Sequence, residues 1–512
     1  MFSKSYSATI LGIDPIIITI EVDVSDGFPS FDMVGLLGSE VKEARERVRI
    51  SIKNSGYSLK AKRVTVNLSP ADIRKEGTAF DLPVAFAILS SYGYINDKYF
   101  KDTLVVGELG LNGKVNRVNG ILSIIHTAKQ EGFKKCIIPY DNINEALIIE
   151  NIEIYAVKSL KEAIDVIDKG QMMKIQKNAY DYNFNKKDYN ANYDFSNIIG
   201  QGFAKRGMEI AASGMHNMLM IGPPGSGKTM LAKSASTILP DLTFDEAMEV
   251  SKIYSISGLL KDKPFVTNRP FRHPHHTIST TALVGGGRIP KPGELTLAHL
   301  GVLFLDELPE FNKSIIELLR QPLEDRHISI TRLSGRFEFP TNFMLVAAMN
   351  PCNCGFYPDR NKCECSINNI KRYLSKISKP ILDRFDISAE VLQVDYKDLK
   401  IKTQGELSDN IKKRVEIARE IQLDRYKGKD IYYNSELNIK EIEQFCRLGE
   451  KEQKLIELAY KKMNLSARGY HKILKVSRTI ADLEESTSIK EHHISEALSY
   501  RGLDTKYWGN KL

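Results

Sequence analysis

The stretch GPPGSGKT, residues 222–229, decides the fold, because it follows the apolar run MLMI (218–221) and precedes the helical pattern MLAKSASTIL (230–239). A GxxxxGK[ST] loop between a strand and a helix wraps backbone N–H groups around phosphate oxygens. The helix N-terminus adds partial positive charge. Lys228 is expected to reach the β- and γ-phosphates, and Thr229 to bind Mg²⁺. We therefore predict an ATP site formed by Gly222, Pro223, Pro224, Gly225, Ser226, Gly227, Lys228 and Thr229.

Two further strand patterns end in polar residues. GVLFLDE (301–307) ends in a pair of carboxylates, which a buried strand does not need. Asp306 is expected to hold Mg²⁺ through water, and Glu307 to polarise the attacking water. FMLVAAMN ends at Asn350, whose amide can touch the γ-phosphate or that water. The sequence therefore predicts ATP hydrolysis rather than ATP binding alone.

Two arginines follow these motifs. Arg384 lies just past a helical pattern in SKPILDRFDIS, and Arg468 begins another in LSARGYHKILKVSRTIADL. Either arginine alone is equally compatible with an ordinary surface position. Their order after the P-loop and the acidic strand end favours a catalytic role for both.

Composition limits the class of protein. The 512 residues, 42% hydrophobic and 27% charged, favour two or three globular domains. The chain has no run of about 18 apolar residues and no signal-peptide core at its start, so we expect a cytoplasmic protein without a membrane partner. A net charge of +8 permits nucleic-acid binding without arguing for it.

The periodicity divides the chain into regions. Residues 1–170 alternate β-branched runs with helical patterns, residues 171–196 are predicted to be a linker, and residues 197–394 form a second α/β region. Residues 395–512 carry apolar residues at spacings of three and four, which predicts helices. The predicted fold class is α/β multidomain with a C-terminal helical lid.

The order of these motifs resembles an AAA+ ATPase, and residues 271–311 resemble the magnesium-chelatase-like branch, in particular the ComM/YifB family. The resemblance implies that Lys228, Thr229, Asp306 and Glu307 act within one subunit, with Asn350 as sensor 1. It implies that Arg384 is a finger reaching a neighbour's ATP in a homo-hexamer, and that Arg468 is sensor 2. For function it implies a DNA helicase that drives branch migration during natural transformation.

Residues 66–140 resemble the Lon-protease-type domain, of the ribosomal S5 domain 2-like fold. In that likeness the serine position is occupied by Ala79 and the lysine position by Ile124. Lys75 and Lys129 lie nearby without a nucleophile to activate. We expect no proteolysis from this region, which is then a structural or binding module with an unknown partner.

The cysteines cluster after Asn350. Cys352 and Cys354 are separated from Cys363 and Cys365 by the eight residues GFYPDRNK, a turn-forming stretch. Four thiolates would close a structural Zn²⁺ site, and the alternative is free thiols in a loop. Cys136 and Cys446 lie in apolar surroundings and are predicted to be core residues. His273, His275 and His276 lack a matching carboxylate, which favours packing or hydrogen bonding near the nucleotide over a second metal site.

Two basic segments are candidates for DNA contact. HISITRLSGRFEFPTNF predicts a hairpin whose turn carries Arg332 and Arg336, and GGGRIPKPGE supplies a second loop with Arg288 and Lys291. In related AAA+ rings a hairpin at this place points into the pore. The alternative is exposed basic turns without a partner. Contacts to phosphates would make DNA binding independent of sequence and sensitive to salt.

Three functions are compatible with the sequence. The first is a DNA motor, the second is the motor subunit of a magnesium chelatase, and the third is an ATP-dependent switch or remodeller of proteins. The Lon-like region and the paired CxC loop argue against the chelatase. Glu307, Asn350 and Arg384 together argue against a pure switch, which need not keep all three.

Overall fold

The computed structural model describes residues 1–169, 193–260, 264–288, 290–332, 335–394, 405–463 and 465–509. Most of the predicted linker (171–192), the segment 395–404 and the hairpin tip at Leu333 and Ser334 lie outside the described residues. No helix in the described ranges combines the length and the apolar character that crossing a bilayer requires.

The N-terminal region is built on a mixed seven-stranded sheet. Its strands, from edge to edge, are Ser30–Val34, Arg63–Ser69, Asp14–Ser25, Phe2–Leu11, Thr103–Val105, Lys135–Pro139 and Glu153–Val157. A small ribbon pairs Glu108–Leu109 with Val115–Asn116. The helices are Ser39–Asn54, Asp81–Ser91, Ile121–Gln130, Ile143–Ala146 and Leu160–Lys169. The helix Asp81–Ser91 is buried along its whole length, as its apolar composition on every face requires.

The central region contains a parallel five-stranded sheet, so the carboxyl ends of all its strands meet at one edge. Its order is Phe271–Arg272, Val302–Leu305, Met344–Met349, Met218–Ile221 and Ile387–Glu390. The helices are Gly202–Gly214, Lys228–Ile238, Phe244–Ile256, Thr280–Val284, Glu294–Leu297, Lys313–Leu318, Arg320–Asp325, Ile367–Leu374 and Lys379–Leu382. Two antiparallel pairs complete it: Gly285–Gly286 with Lys291–Pro292, and His327–Arg332 with Gly335–Pro340.

The C-terminal region is helical, as the sequence predicts. Its helices are Ser408–Arg425, Ile439–Phe445, Glu450–Met463, Ala467–Leu483, Glu491–Ser499 and Gly502–Trp508. Many of their apolar residues join one hydrophobic cluster with the parallel sheet and its helix Gly202–Gly214. The carboxylate of Asp482, which is fully buried, pairs with Arg425 and Arg478. A charge so deeply buried is stable only when it is paired, so this network fixes the helices against each other.

The N-terminal region packs directly on the central one. The helix Ile121–Gln130 lies against the helix Phe244–Ile256 in a shared hydrophobic cluster. Gly120 N–H donates to the Ser255 carbonyl (3.0 Å), and Ser255 Oγ donates to Glu145 Oε2 (2.6 Å). Burial raises the pKa of Glu145. Gly120 has φ +79°, a conformation that favours glycine, and a Cβ there would require Ile10 to move.

A second contact joins the N-terminal region to the hairpin. Leu11 and Ile13, at the turn between the first two strands, pack against the hydrophobic cluster that contains Phe337 and Phe339. The turn residue Gly12 approaches the same two rings. The base of the hairpin is therefore in contact with both regions of the chain.

Candidate active site

The P-loop lies between Met218–Ile221 and the helix Lys228–Ile238, at the carboxyl edge of the parallel sheet. Lys228 Nζ donates to the carbonyls of Gly222 and Pro223 (2.8 Å each) and to Asn350 Oδ1 (3.2 Å). Lys228 is 7% exposed, and burial lowers its pKa to about 8 against the opposing charges of Asp306 and Glu307. A buried ammonium group surrounded by neutral oxygens fits a site for anionic phosphate groups.

The predicted magnesium ligands lie next to each other. Thr229 Oγ1 donates to Asp306 Oδ2 (2.7 Å), and Asp306 Oδ1 accepts from the backbone N–H of Glu307 (2.9 Å). Asp306 directly follows the strand Val302–Leu305, which pairs in parallel with the strand that Asn350 follows. Hydroxyl and carboxylate oxygens are ligands that Mg²⁺ prefers, so this donor set fits the ion.

Glu307 projects from the same edge with φ +51° and an exposed side chain. Its Oε2 lies 3.5 Å from His276 Nδ1. His273 lies nearby, with its ring centroid 4.7 Å from that of Phe304, and burial lowers its pKa. His273 and His276 therefore lie near the nucleotide site, as predicted, but the expectation that these histidines lack a matching carboxylate is wrong for His276. The pairing of His276 with Glu307 was not predicted. His276 comes close to Glu307 because the strand Phe271–Arg272, which precedes it, pairs in parallel with the strand Val302–Leu305.

Arg384 and Arg468 lie where the sequence predicts, after the helix Lys379–Leu382 and in the first turn of Ala467–Leu483. Arg384 Nη2 lies 2.6 Å from Glu324 Oε2, and Arg468 Nη2 lies 3.1 Å from Glu324 Oε1. The Arg384 side chain is 10% exposed, and its buried Nε has no hydrogen-bond partner among the residues that the structure describes. One carboxylate thus holds both candidate arginines, and no sequence signal singled out Glu324.

The four clustered cysteines converge. Cys352 Sγ lies 3.3 Å from Cys354 Sγ and 3.7 Å from Cys363 Sγ, and all four sulfur atoms lie within 4.8 Å of one another. A tetrahedral Zn²⁺ with four thiolates requires sulfur separations of about 3.8 Å. Burial raises the pKa of Cys363 to about 12, whereas the Phe356 backbone and neighbouring thiols overcome burial and lower the pKa of Cys354 to about 6. The donor set fits zinc.

The other cysteines are core residues, as predicted. Cys136 and Cys446 are buried, and burial raises both pKa values, that of Cys446 to about 12. A second group of ligand-type side chains is formed by Glu484, His492 and His493, and both histidines hydrogen-bond to Glu484. His493 Nδ1 accepts from the Lys490 backbone N–H, so its Nε2 carries the proton and donates to Glu484.

The predicted hairpin is formed, with Arg332 paired opposite Gly335 and Thr331 opposite Arg336. Arg332 is exposed, and its Nη2 lies 3.9 Å from where a Cβ on Gly286 would lie. Arg336 is also exposed and pairs with Glu338 (2.9 Å). Arg288 and Lys291 are exposed on the ribbon that contains Gly286. The structure therefore places the two basic segments side by side.

One edge of the parallel sheet carries a P-loop, an acidic strand end and a strand-end amide. A helical region follows this sheet in the chain. This combination defines an AAA+ nucleotide-binding module. Family models agree: residues 194–399 match "Magnesium chelatase, subunit ChlI", residues 20–142 match "Subunit ChlI of Mg-chelatase", and residues 405–501 match "Magnesium chelatase, subunit ChlI C-terminal".

The chain is 43% identical over 505 residues to Competence protein ComM of Haemophilus influenzae, which covers 97% of each chain. It is 41% identical over 495 residues to YifB of Escherichia coli, covering 96% of each. The protein belongs to the ComM/YifB family of magnesium-chelatase-like AAA+ proteins. A shorter similarity to Lon protease 2 of Bacillus subtilis, 33% identical over 131 residues, covers 25% of this chain and 23% of that protein.

Proposed function

We propose that the protein is a homo-hexameric, ATP-hydrolysing DNA motor that drives branch migration when incoming DNA recombines during natural transformation. The observation that carries the proposal is the pair of adjacent basic segments on a chain that also has an assembled catalytic edge. Arg332 and Arg288 are exposed on neighbouring antiparallel pairs, where phosphates can approach both. Such contacts do not read sequence, which suits a protein that moves along DNA.

Hydrolysis uses the groups of the sheet edge. Lys228 exchanges its carbonyl partners for the phosphate oxygens of ATP, and the P-loop N–H groups hold the same oxygens. Thr229 and Asp306 would hold Mg²⁺, which would neutralise charge on the phosphates. Glu307 accepts a proton from the attacking water, and His276 fixes the direction of its carboxylate. Asn350, already bonded to Lys228, lies where its amide can orient that water.

Arg384 acts on the ATP of a neighbouring subunit, and Arg468 senses the bound nucleotide. Within one subunit both guanidinium groups pair with Glu324, so this single carboxylate holds them next to each other. A finger that works on the next subunit requires a closed ring, and we propose a hexamer. Stabilisation of transition-state charge by such an arginine is worth roughly 10³–10⁵ in rate.

The cysteine loop holds a structural Zn²⁺ in this proposal. Gly355, between the two CxC pairs, packs against Pro224 of the P-loop. The loop also follows Asn350 directly, so a metal there would stiffen the contact between the phosphate-binding loop and the strand-end amide. The zinc ion would have a structural role, because four thiolates leave no open coordination position.

The N-terminal region is not an active protease in this proposal. Ala79 offers no hydroxyl group. Ile124 is 2% exposed and belongs to the hydrophobic cluster that also contains residues of the helix Phe244–Ile256, so a lysine there would be buried among apolar groups. Lys75 is fully buried, and its ammonium group donates to the Pro70 carbonyl. These contacts support a structural role for this face.

The test is the ATPase rate of the full chain with single-stranded, duplex and four-way-junction DNA at defined salt, with Glu307→Gln as the blank. We expect stimulation by DNA that the double change Arg332→Ala and Arg336→Ala removes. Arg447→Ala, which removes an exposed arginine of the helical region, is the matched control and should leave stimulation intact. A rate indifferent to every DNA would contradict a DNA motor and favour a porphyrin or protein substrate.

A further inference from the structure

The N-terminal region contains a basic cleft of about 820 Å³, away from the nucleotide site. It lies between the end of the helix Ser39–Asn54, the loop 56–62 and the starts of the strands Ser30–Val34 and Arg63–Ser69. Its basic lining residues are Arg49, Lys53, Lys60 and Lys62, and no carboxylate is among its lining residues. We call this surface the basic cleft.

The charges of the basic cleft are weakly compensated. Arg49 pairs with Glu46 (3.1 Å) and Lys62 with Asp26 (3.0 Å), and both acids are at least half exposed. Exposed pairs of this kind contribute little to stability, so a phosphate can replace either acid at little cost. Lys53 and Lys60 are exposed and, within the described part of the chain, form no ion pair. The cleft therefore attracts polyanions.

Aromatic rings lie among these cations. Phe31, Tyr57 and Tyr92 line the basic cleft. Phe28, which precedes the lining residue Pro29, is 90% exposed, an unusual position for a phenylalanine on a monomer surface. Hydrogen bonds hold the walls: Tyr92 Oη donates to the Lys60 carbonyl (2.8 Å) and Tyr94 Oη to the Ser58 carbonyl (2.6 Å). The loop that carries Lys60 is thus fixed beside the rings.

We propose that the basic cleft binds single-stranded nucleic acid, with Lys53 and Lys60 on phosphates and Phe28 stacked on a base. Rows of cations with interleaved aromatic rings are what single strands require, because unpaired bases offer their faces and duplex bases do not. The volume lies within the roughly 300–1,000 Å³ of ordinary ligand sites, which suits a short run of nucleotides. The inference deepens the proposed function by giving the chain a grip on one strand that is separate from the hairpin.

The experiment measures binding of a fluorescent single-stranded oligothymidylate by anisotropy at several salt concentrations. It uses the full chain carrying Arg332→Ala and Arg336→Ala, so that the hairpin does not contribute. Adding Lys53→Ala and Lys60→Ala should reduce the slope of log affinity against log salt by about 1.4, from about 0.7 per phosphate contact. The control, Lys101→Ala with Lys161→Ala, removes the same charge from exposed positions outside the cleft and should leave the slope unchanged.

Phe28→Ala tests the aromatic part and should weaken binding about fivefold or more, since a stacked base contributes at least about 1 kcal/mol. Polyphosphate, a polyanion without bases, should compete through charge alone and therefore less well than oligothymidylate of equal charge. The proposal is overturned if the Lys53 and Lys60 variant matches its control, if polyphosphate competes as well as DNA, or if duplex binds equally. This binding assay does not depend on ATP hydrolysis. If the cleft binds single strands although DNA does not change the ATPase rate, the motor proposal fails and the cleft proposal stands.

Discussion

Replacing Gly355 with alanine should weaken ATP binding, although Gly355 lies in the cysteine loop and touches no phosphate-binding group by hydrogen bond. Gly355 is buried with φ +87°, and a Cβ there would lie 3.3 Å from Pro224 Cγ and closer still to Pro224 Cδ. The left-handed conformation costs a non-glycine residue about 1–2 kcal/mol. Relief of the collision costs about 1–3 kcal/mol more. Pro224 cannot retreat without moving the P-loop, so part of this strain falls on the phosphate-binding backbone.

If about 1.4 kcal/mol of the strain falls on the P-loop, the dissociation constant for ATP rises about tenfold. Gly428→Ala is the matched control, because Gly428 has φ +82° and nothing lies within 4 Å of its would-be Cβ. It should lower the thermal midpoint through backbone strain alone and leave ATP affinity unchanged. Titration with a fluorescent ATP analogue, alongside zinc analysis, compares the two variants. The reasoning is refuted if Gly355→Ala binds ATP as tightly as Gly428→Ala while both fold.

Three further predictions concern the groups around the nucleotide site. Protein purified without chelator should contain a stoichiometric amount of zinc that Cys363→Ser abolishes, and zinc-free wild-type protein with native ATPase activity would contradict this. His276→Ala should lower kcat about tenfold or more with unchanged ATP affinity, because side chains that orient a reacting group typically contribute 10–100-fold. An unaltered kcat would exclude a role of His276 in orienting Glu307. Glu324→Gln should lower kcat several-fold in the assembled protein, with partial rescue by Glu324→Asp; no loss of rate would show that Arg384 keeps its orientation without this carboxylate.

The sequence predicted the sheet edge well because strand ends obey a simple rule. Apolar runs of four to six residues ending in Asp306 and Asn350 must be buried strands, and parallel strands bring their carboxyl ends to one edge. The hairpin was equally accessible, since alternating patterns on both sides of a short turn fix its register. In both cases the determining interactions are local, or follow from topology alone.

Contacts between elements far apart in the chain were not accessible. Glu324 meets Arg468 across 144 residues, and the helix that carries Glu324 has no pattern that distinguishes it from a surface helix. The contact of Gly355 with Pro224 depends on how the cysteine loop folds back over the P-loop, which spacing does not determine. Predicting that His276 lies beside Glu307 would have required knowing that the strand Phe271–Arg272 neighbours the strand Val302–Leu305. The residues that carry the chemistry of the site were therefore predictable from the sequence, whereas the residues that orient their side chains were not.

The apolar residue Ile124, at the position where the Lon resemblance places a lysine, fits its surroundings in this fold. The helix Ile121–Gln130, which carries Ile124 where the resemblance places a lysine, packs its apolar residues on the helix Phe244–Ile256. A lysine at that position would lose its hydration against apolar side chains, whereas isoleucine fits the hydrophobic cluster that the two regions share. Ser255 donates to the buried Glu145 across the same boundary. The turn at Gly12 also contacts Phe337 of the hairpin, so a shift of the hairpin base must be accommodated by the N-terminal region. Packing therefore couples the N-terminal region to the ATPase region, in addition to the covalent connection between them.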